Sequence, residues 1–568
     1  MLRCAAWVVV TAVLESTLAA GETGMPDTLR IAAVQMEVSE DVKVNLARIL
    51  RGIAEARDAG ARVAVFPETA LSGFRERAVA GMDWARLEEA MAKVAAAAKT
   101  HAVYVLYGCA TESGKERPFN SAVLAGPDGK AVTRYHKMVP ERWFEPGDHL
   151  ALFEVDGIPC TVIVCHDERF PELVRIPVLA GARVCFYLSY EVNALPSALR
   201  KIEGYRAQLM ARAAENNVWV VQSNGIGPLE GARHVSLGYS RMVDPGGTVV
   251  QEAPALKDCM IVGDIQPEAA NRHNALESLD IAPLSSWWQT AVARLKAAPA
   301  GECRDSKGSQ DKARLALMKA VPQKWNVAAN FEVFLELLEE AHEAHADILI
   351  TPECWLDGYA APDKASTPQK LREVAQDPQA SPYLQRVANE ARARSMFICF
   401  GFTSIEEGKL YNAAGLWDNA GELAGIYHKT HLQNHDLQYA PGEALPVWPT
   451  PWGPVGIMIC ADRRWPETAR TLRLEGARLI LNPTYGMHHE ANEWWMRTRG
   501  YENQCYIAFA HPEVAFVVDP KGGIAAKRDD EAAGVLVCDI DLGRAKDDNH
   551  IRDRRPELYG IITAPKPD

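Results

Sequence analysis

Residues 29–68 read LRIAAVQMEVSEDVKVNLARILRGIAEARDAGARVAVFPE, and this stretch decides the fold class. LRIAAVQ is an apolar run of strand length, NLARILRGIAEARDAG (45–60) repeats apolar residues at helical spacing, and RVAVFPE (62–68) opens on a second apolar run. Strand, helix, strand is the unit of an α/β fold. Further runs follow at HAVYVLYG (101–108), CTVIVC (160–165), RVCFYLS (183–189) and VWVVQSN (218–224), with a helical AQLMARAAENN before the last. Near-continuous apolar runs, rather than alternating ones, predict a largely buried sheet.

The same order returns in the second half. RLALMKAV (314–321), the helical FEVFLELLEEAHEAHAD (331–347) and ILITPE (348–353) restate the opening, and FICFGF, NAAGLW, GIMIC, RLILNPTY and YIAFAHP follow. Signposts pair along the halves: VFPETALSGF with ITPECWLDGY, RYHKMVP with IYHKTHL, VCHDERFPE with ICADRRWPE, RAAENN with RGYENQ, and VDPGG with VDPKGG. Glu68 and Glu353 are 285 residues apart. A period that long is a duplicated domain, not a solenoid repeat.

Composition agrees with two globular domains. The 568 residues exceed what one core usually supports, and the apolar share of 48% with a charged share of 24% is ordinary. A net charge of -13 argues against a nucleic-acid or anionic-membrane surface. The 12 cysteines form no CxxC framework, and Cys109, Cys185, Cys399 and Cys538 sit singly in apolar runs, as buried free thiols do. Residues 1–24 read as a signal peptide or as a leader ahead of a start at Met25, which implies a periplasmic or secreted protein in the first case and a cytoplasmic one in the second. The expected boundaries are domain one at 28–268, tail and linker at 269–311, domain two at 312–550 and a C-terminal tail at 551–568.

Three residue types recur at matched places: Glu68, Lys137 and Cys165, then Glu353, Lys429 and Cys460. Each follows a strand-like run, where side chains at the ends of a sheet converge. A thiol attacks a carbonyl or nitrile carbon as thiolate and needs a base and a cationic neighbour. A carboxylate can take the thiol proton, pass it to the departing amine and later activate water. A lysine and a backbone N–H beside the cysteine can hold the oxyanion.

With these motifs both halves resemble the nitrilase (carbon–nitrogen hydrolase) superfamily, on PE followed by GF or GY, on YHK, and on C-x-D-x-R-x-PE at 165–172 and 460–467. The resemblance implies a four-layer αββα sandwich per domain, a Glu–Lys–Cys triad, no cofactor and no metal. Its expected activity is amide hydrolysis through a thioester on a small amide-like substrate; N-carbamoyl or nitrile specificity, or acyl transfer to an amine, are the alternatives. The family's second glutamate matches Glu141, with Glu145 as the rival; Asp436 stands opposite Glu141, so the second site is expected to lack that glutamate. His166 and Ala461 follow the nucleophiles and supply the N–H groups. Arg169, Glu172, Arg464 and Glu467 read as orienting ion-pair groups, and Arg212, Glu215 and Asn216 as scaffold. The second domain is expected either to act on another substrate or to serve as a pairing partner inside the chain, with a homo-oligomer open. His342-Glu343-Ala344-His345 is one residue short of the spacing that puts two zinc ligands on one helix face.

Overall fold

The structure is a computed structural model and describes residues 25–227, 233–280, 308–487, 489–546 and 549–563. The leader 1–24 and the linker 281–307 lie outside the described residues. The main boundary between two compact units falls between Leu276 and Glu277.

In the first domain the opening strand, Leu29–Gln35, lies parallel to Val63–Val65 and antiparallel to Cys259–Ile265. Tyr104–Thr111, Phe119–Ala125 and Ala131–His136 complete a six-stranded sheet. A second six-stranded sheet runs in the order 249–252, 241–243, 219–224, 184–189, 158–164 and 153–155. The two sheets face each other, and Ser223 Oγ on one donates to the Val34 carbonyl on the other at 2.6 Å.

Helices Val42–Asp58 and Trp84–His101 cover the first sheet. Asp41 and Asp83 start them by accepting from Lys43 and Arg86 backbone N–H groups, which satisfies donors the first turn leaves open. Ile49, Ile53 and Ala56 then fall on one buried stripe against Phe66 and Val34. Helix Glu172–Leu179 packs on the strand Ile158–Val164 of the second sheet, and Arg175 ties it to the long helix Leu195–Asn216 through the Glu215 carbonyl at 2.8 Å. Helix, sheet, sheet, helix makes the αββα sandwich.

The second domain repeats both six-stranded sheets; a small third sheet of 226–227, 234–237 and 193–194 belongs to the first domain and has no counterpart among the described residues. One sheet runs 423–428, 409–417, 397–406, 348–350, 312–319 and 534–541; the other runs 447–448, 455–457, 479–483, 506–510, 515–518 and 524–528. Parallel and antiparallel pairings fall at the same places in both copies. VDPGG and VDPKGG are hairpin turns, where Asp244 and Asp519 accept from the backbone N–H groups of Gly246 and Lys521. Residues 273–280 are helical, and Asn274 Nδ2 donates to the Ala214 carbonyl at 2.8 Å, so the tail after strand 259–265 folds onto the first domain.

Cys109, Cys185 and Cys399 are fully buried free thiols, and Cys538 is nearly so. His342 lies in the last turn of the helix Val327–Glu343, whereas His345 lies beyond its end with φ 56°, so the two share no helix face.

Candidate active site

Glu68 and Lys137 come from the first sheet and Cys165 from the facing one. Glu68 follows Val63–Val65, Lys137 follows Ala131–His136, and Cys165 follows Ile158–Val164 and opens a 3-10 turn to Arg169. Cys165 has φ 44°, in the left-handed region that costs a non-glycine residue energy; Cys460 has the same value. Thr69 and Cys354, each just after a matched glutamate, are left-handed too, at 49° and 42°.

Glu68 and Lys137 are both fully buried. Lys137 Nζ donates to Glu68 Oε1 at 2.6 Å, and Asn120 Nδ2 donates to the same oxygen at 2.7 Å. Glu68 Oε2 is buried and accepts no hydrogen bond. Burial pushes Glu68 above the usual carboxylate range, with Glu141 adding to it and Lys137 opposing. Burial pushes Cys165 well above the usual thiol range too, helped by Glu68 and opposed by Lys137. Burial alone would lower Lys137, but Glu141 and Glu68 outweigh it and keep the ammonium charged. Geometrically the site is Cys165 beside a buried, hydrogen-bonded Glu68–Lys137 pair.

The structure separates the two glutamates that compete for the supporting position. Glu141 lies 3.1 Å from Lys137 Nζ and 3.4 Å from His166 Nδ1. Glu145 instead pairs with Arg117 at 2.8 Å.

The second site repeats the first with changes. Lys429 Nζ donates to Glu353 Oε1 at 2.9 Å and Asn412 Nδ2 does so at 2.8 Å. Asp436, although one methylene shorter, reaches Lys429 at 2.5 Å. As expected, the second site has an aspartate where the first has Glu141; the loop from Lys429 is three residues longer and ends in a 3-10 turn, Asn434–Asp436, that brings a fully buried Asp436 to the ammonium. Glu353 Oε2 accepts from the Tyr485 backbone N–H at 3.0 Å, unlike its counterpart Oε2 of Glu68. Arg463 Nη1 donates to Cys460 Sγ at 3.4 Å. Burial and Glu353 raise Cys460, while Arg463 and Lys429 pull it back.

Further residues, most of them not singled out by sequence, hold both sites together. Asp167 accepts from Tyr135 Oη at 2.8 Å, from Val164 N at 3.1 Å, and from Met138 and Val139 N at 3.1 and 3.2 Å, so it fastens the cysteine turn to the lysine loop. Asp462 does the same through Tyr427, Ile459 and His431. Asn120 and Asn412 stand at matched places in PFNSA and LYNAA, a signal the internal alignment already contained. Arg212 and Arg499 donate to backbone carbonyls of the cysteine turns, those of Glu168 and Arg463, at 2.9 and 2.8 Å.

The family description "Carbon-nitrogen hydrolase" matches residues 30–273 and 314–549, most of the chain and once per domain. The chain belongs to the carbon-nitrogen hydrolase family. It acts on carbon–nitrogen bonds and carries two tandem domains of that family. The chain is 34% identical over 269 residues to a "Hydrolase in pqqF 5'region" of Pseudomonas protegens, covering 44% of this chain and 92% of that one. It is 29% identical to an omega-amidase of Homo sapiens, covering 39% of this chain and 88% of that one. A solved amidase from Nesterenkonia sp. aligns at 23% identity with TM-score 0.39, over 44% of this chain and 96% of that one.

The two carbon-nitrogen hydrolase sites have different aromatic neighbours. Near the first, Tyr190 lies within electrostatic reach of Glu68, and Phe74 meets Trp143 and Tyr190 edge-on, each at 5.7 Å. Around the second, Tyr359 stacks on Tyr485 at 4.7 Å and donates to or accepts from His435 at 2.9 Å. Among the described residues no cluster of His, Cys, Asp and Glu could hold a metal ion.

Proposed function

We propose that the first domain hydrolyses a small-molecule amide through a thioester on Cys165. The observation that carries this reading is the division of labour on Glu68: one oxygen is held by Lys137 and Asn120, while the other is buried and open to a proton. Glu68 takes the thiol proton as sulfur attacks the carbonyl carbon. Lys137 and the His166 N–H stabilise the oxygen that becomes negative. The tetrahedral intermediate collapses, the C–N bond breaks, and Glu68 returns the proton to the leaving nitrogen. Water, deprotonated by Glu68, then cleaves the thioester, releasing the acid and restoring the thiol. Curated relatives named as amidases support the amide as substrate class.

For the second domain the matching reading is a hydrolase site built on Glu353, Lys429 and Cys460, with the Ala461 N–H in the place of His166. Its different lining supports a different substrate. Both readings are tested by ammonia release from a panel of amides, ureido acids and nitriles, using wild type, Cys165→Ala, Cys460→Ala and the double variant. Loss of separate substrate subsets in the single variants is the expected result. Unchanged turnover in Cys460→Ala assigns the second domain a non-catalytic role, and full activity in the double variant refutes the thiol mechanism.

A further inference from the structure

The residue three positions after each cysteine carries opposite charge in the two copies: Glu168 after Cys165 and Arg463 after Cys460. Arg463 shows where that position points, since its guanidinium reaches the sulfur. Glu168 occupies the same place in the same 3-10 turn and is 3% exposed. Its carboxylate accepts from Tyr187 Oη, which also donates to the Cys165 carbonyl. A second acid, Glu191, lies within its electrostatic reach and is held by Gln222 Nε2 at 3.0 Å and Asn224 Nδ2 at 3.1 Å. Sheet register places Glu191 opposite Gly486 of the second copy, so this acid too is peculiar to the first site.

Cations are near but otherwise engaged. Arg212 is bound to the Glu168 carbonyl, and Lys201 Nζ donates to Asn193 Oδ1 at 2.7 Å. Arg169, Arg212 and Lys201 all act on Glu168 electrostatically, yet among the described residues none forms an ion pair with its carboxylate. Burial, with Glu191 adding to it, pushes Glu168 up to about 8, and burial pushes Glu191 up to about 7. A buried carboxylate without an ion-pair partner is costly, and a cation brought by a ligand offsets that cost.

We propose that Glu168, backed by Glu191, makes the first site select amides whose other end carries an ammonium group. This rests on the reading of Cys165 as nucleophile.

The test uses the full chain with Cys460→Ala, so that only the first site turns over. 4-Aminobutanamide is compared with pentanamide, which replaces the ammonium by a methyl, and with the carboxylate-bearing glutaramate. The expected kcat/KM order puts 4-aminobutanamide at least about tenfold above pentanamide, as a charge-assisted contact in a dry site gives, and glutaramate last. Glu168→Gln lowers the ammonium-to-methyl ratio toward one through the KM of the ammonium substrate, and Glu191→Gln lowers it part of the way. A parent with no preference for the ammonium overturns the proposal. So does a Glu168→Gln variant that loses both substrates in equal measure while Glu191→Gln keeps the full preference, because that marks Glu168 as merely structural. Ammonia release that survives Cys165→Ala refutes the nucleophile assignment instead, which keeps the two failures distinct.

Discussion

Asn120→Ala removes one of two donors to Glu68 Oε1 and leaves every reacting atom in place. The lost bond is short, buried and charge-assisted, and such bonds contribute about 1.5–3 kcal/mol. Because Glu68 Oε1 is then held by Lys137 alone, the loss falls on the orientation of the base. At about 1.4 kcal/mol per tenfold, kcat/KM at the first site drops roughly 10- to 150-fold. Folding stability falls less, since Asn120 Oδ1 is itself buried without a hydrogen bond and its removal offsets part of the cost. The assay is ammonia release in a Cys460→Ala background, beside urea unfolding of the same variants. Asn412→Ala in that background is an internal control, because Asn412 holds the other glutamate. A loss below about twofold, or an equal loss in the control, refutes the assignment of Asn120 to positioning Glu68.

Other outcomes follow from the same geometry. Asp167→Asn leaves several donors facing an amide that accepts at only one atom, so the first domain loses about 2–4 kcal/mol in denaturant unfolding. Gly108→Ala places a Cβ 2.1 Å from Thr69 N and 2.6 Å from Glu68 C, backbone atoms that cannot yield, so the Glu68 loop shifts and first-site turnover falls by about 100-fold or more. The acid limb of first-site kcat/KM lies above the usual carboxylate range, because Glu68 protonates at a raised pH and a protonated Glu68 cannot accept the thiol proton; a limb at ordinary carboxylate pH contradicts this. Asp462 behaves in the opposite sense: burial works against its charge, but hydrogen bonds involving His431 and Ile459 hold it below its usual range. Its stabilising contribution is present above the unfolded pKa and lost as pH falls through the folded one. Thermal melts from about pH 6 to about pH 3 should therefore show an acid loss that Asp462→Asn lacks.

Much of the architecture was legible because strand-length apolar runs and matched motifs occur twice, so each half checks the other. LRIAAVQ and RLALMKAV gave the opening strands, and the matched Glu, Lys and Cys positions do converge in both domains. What escaped was whatever depends on contacts between distant loops. Nothing local in CHDER marks Asp167 as the anchor of the loop that carries Lys137, because the donors that tie it to that loop come from residues 135–139. Asn120 looks like an ordinary strand residue until the sheet sets it opposite the buried Glu68. Sequence marks Asp436 as the aspartate opposite Glu141 but not how near it comes to Lys429, because that depends on the backbone path as well as on side-chain length. Its loop had lengthened, and reach is the sum of both.

That lengthened loop has a consequence for how the scaffold tolerates change. Twenty-four residues separate the acid from the cysteine in both copies, so the whole length difference lies between lysine and acid. Going from a four-residue to a seven-residue closure costs only about 0.5 kcal/mol of chain entropy. The acid nonetheless stays on the ammonium in both copies. The tolerance is local: Thr430 and His431 are buried against Asp462 and hold the start of the loop, whereas Asn434 and His435 are exposed, which makes that outer end the place where further sequence change leaves the reacting groups at their spacing.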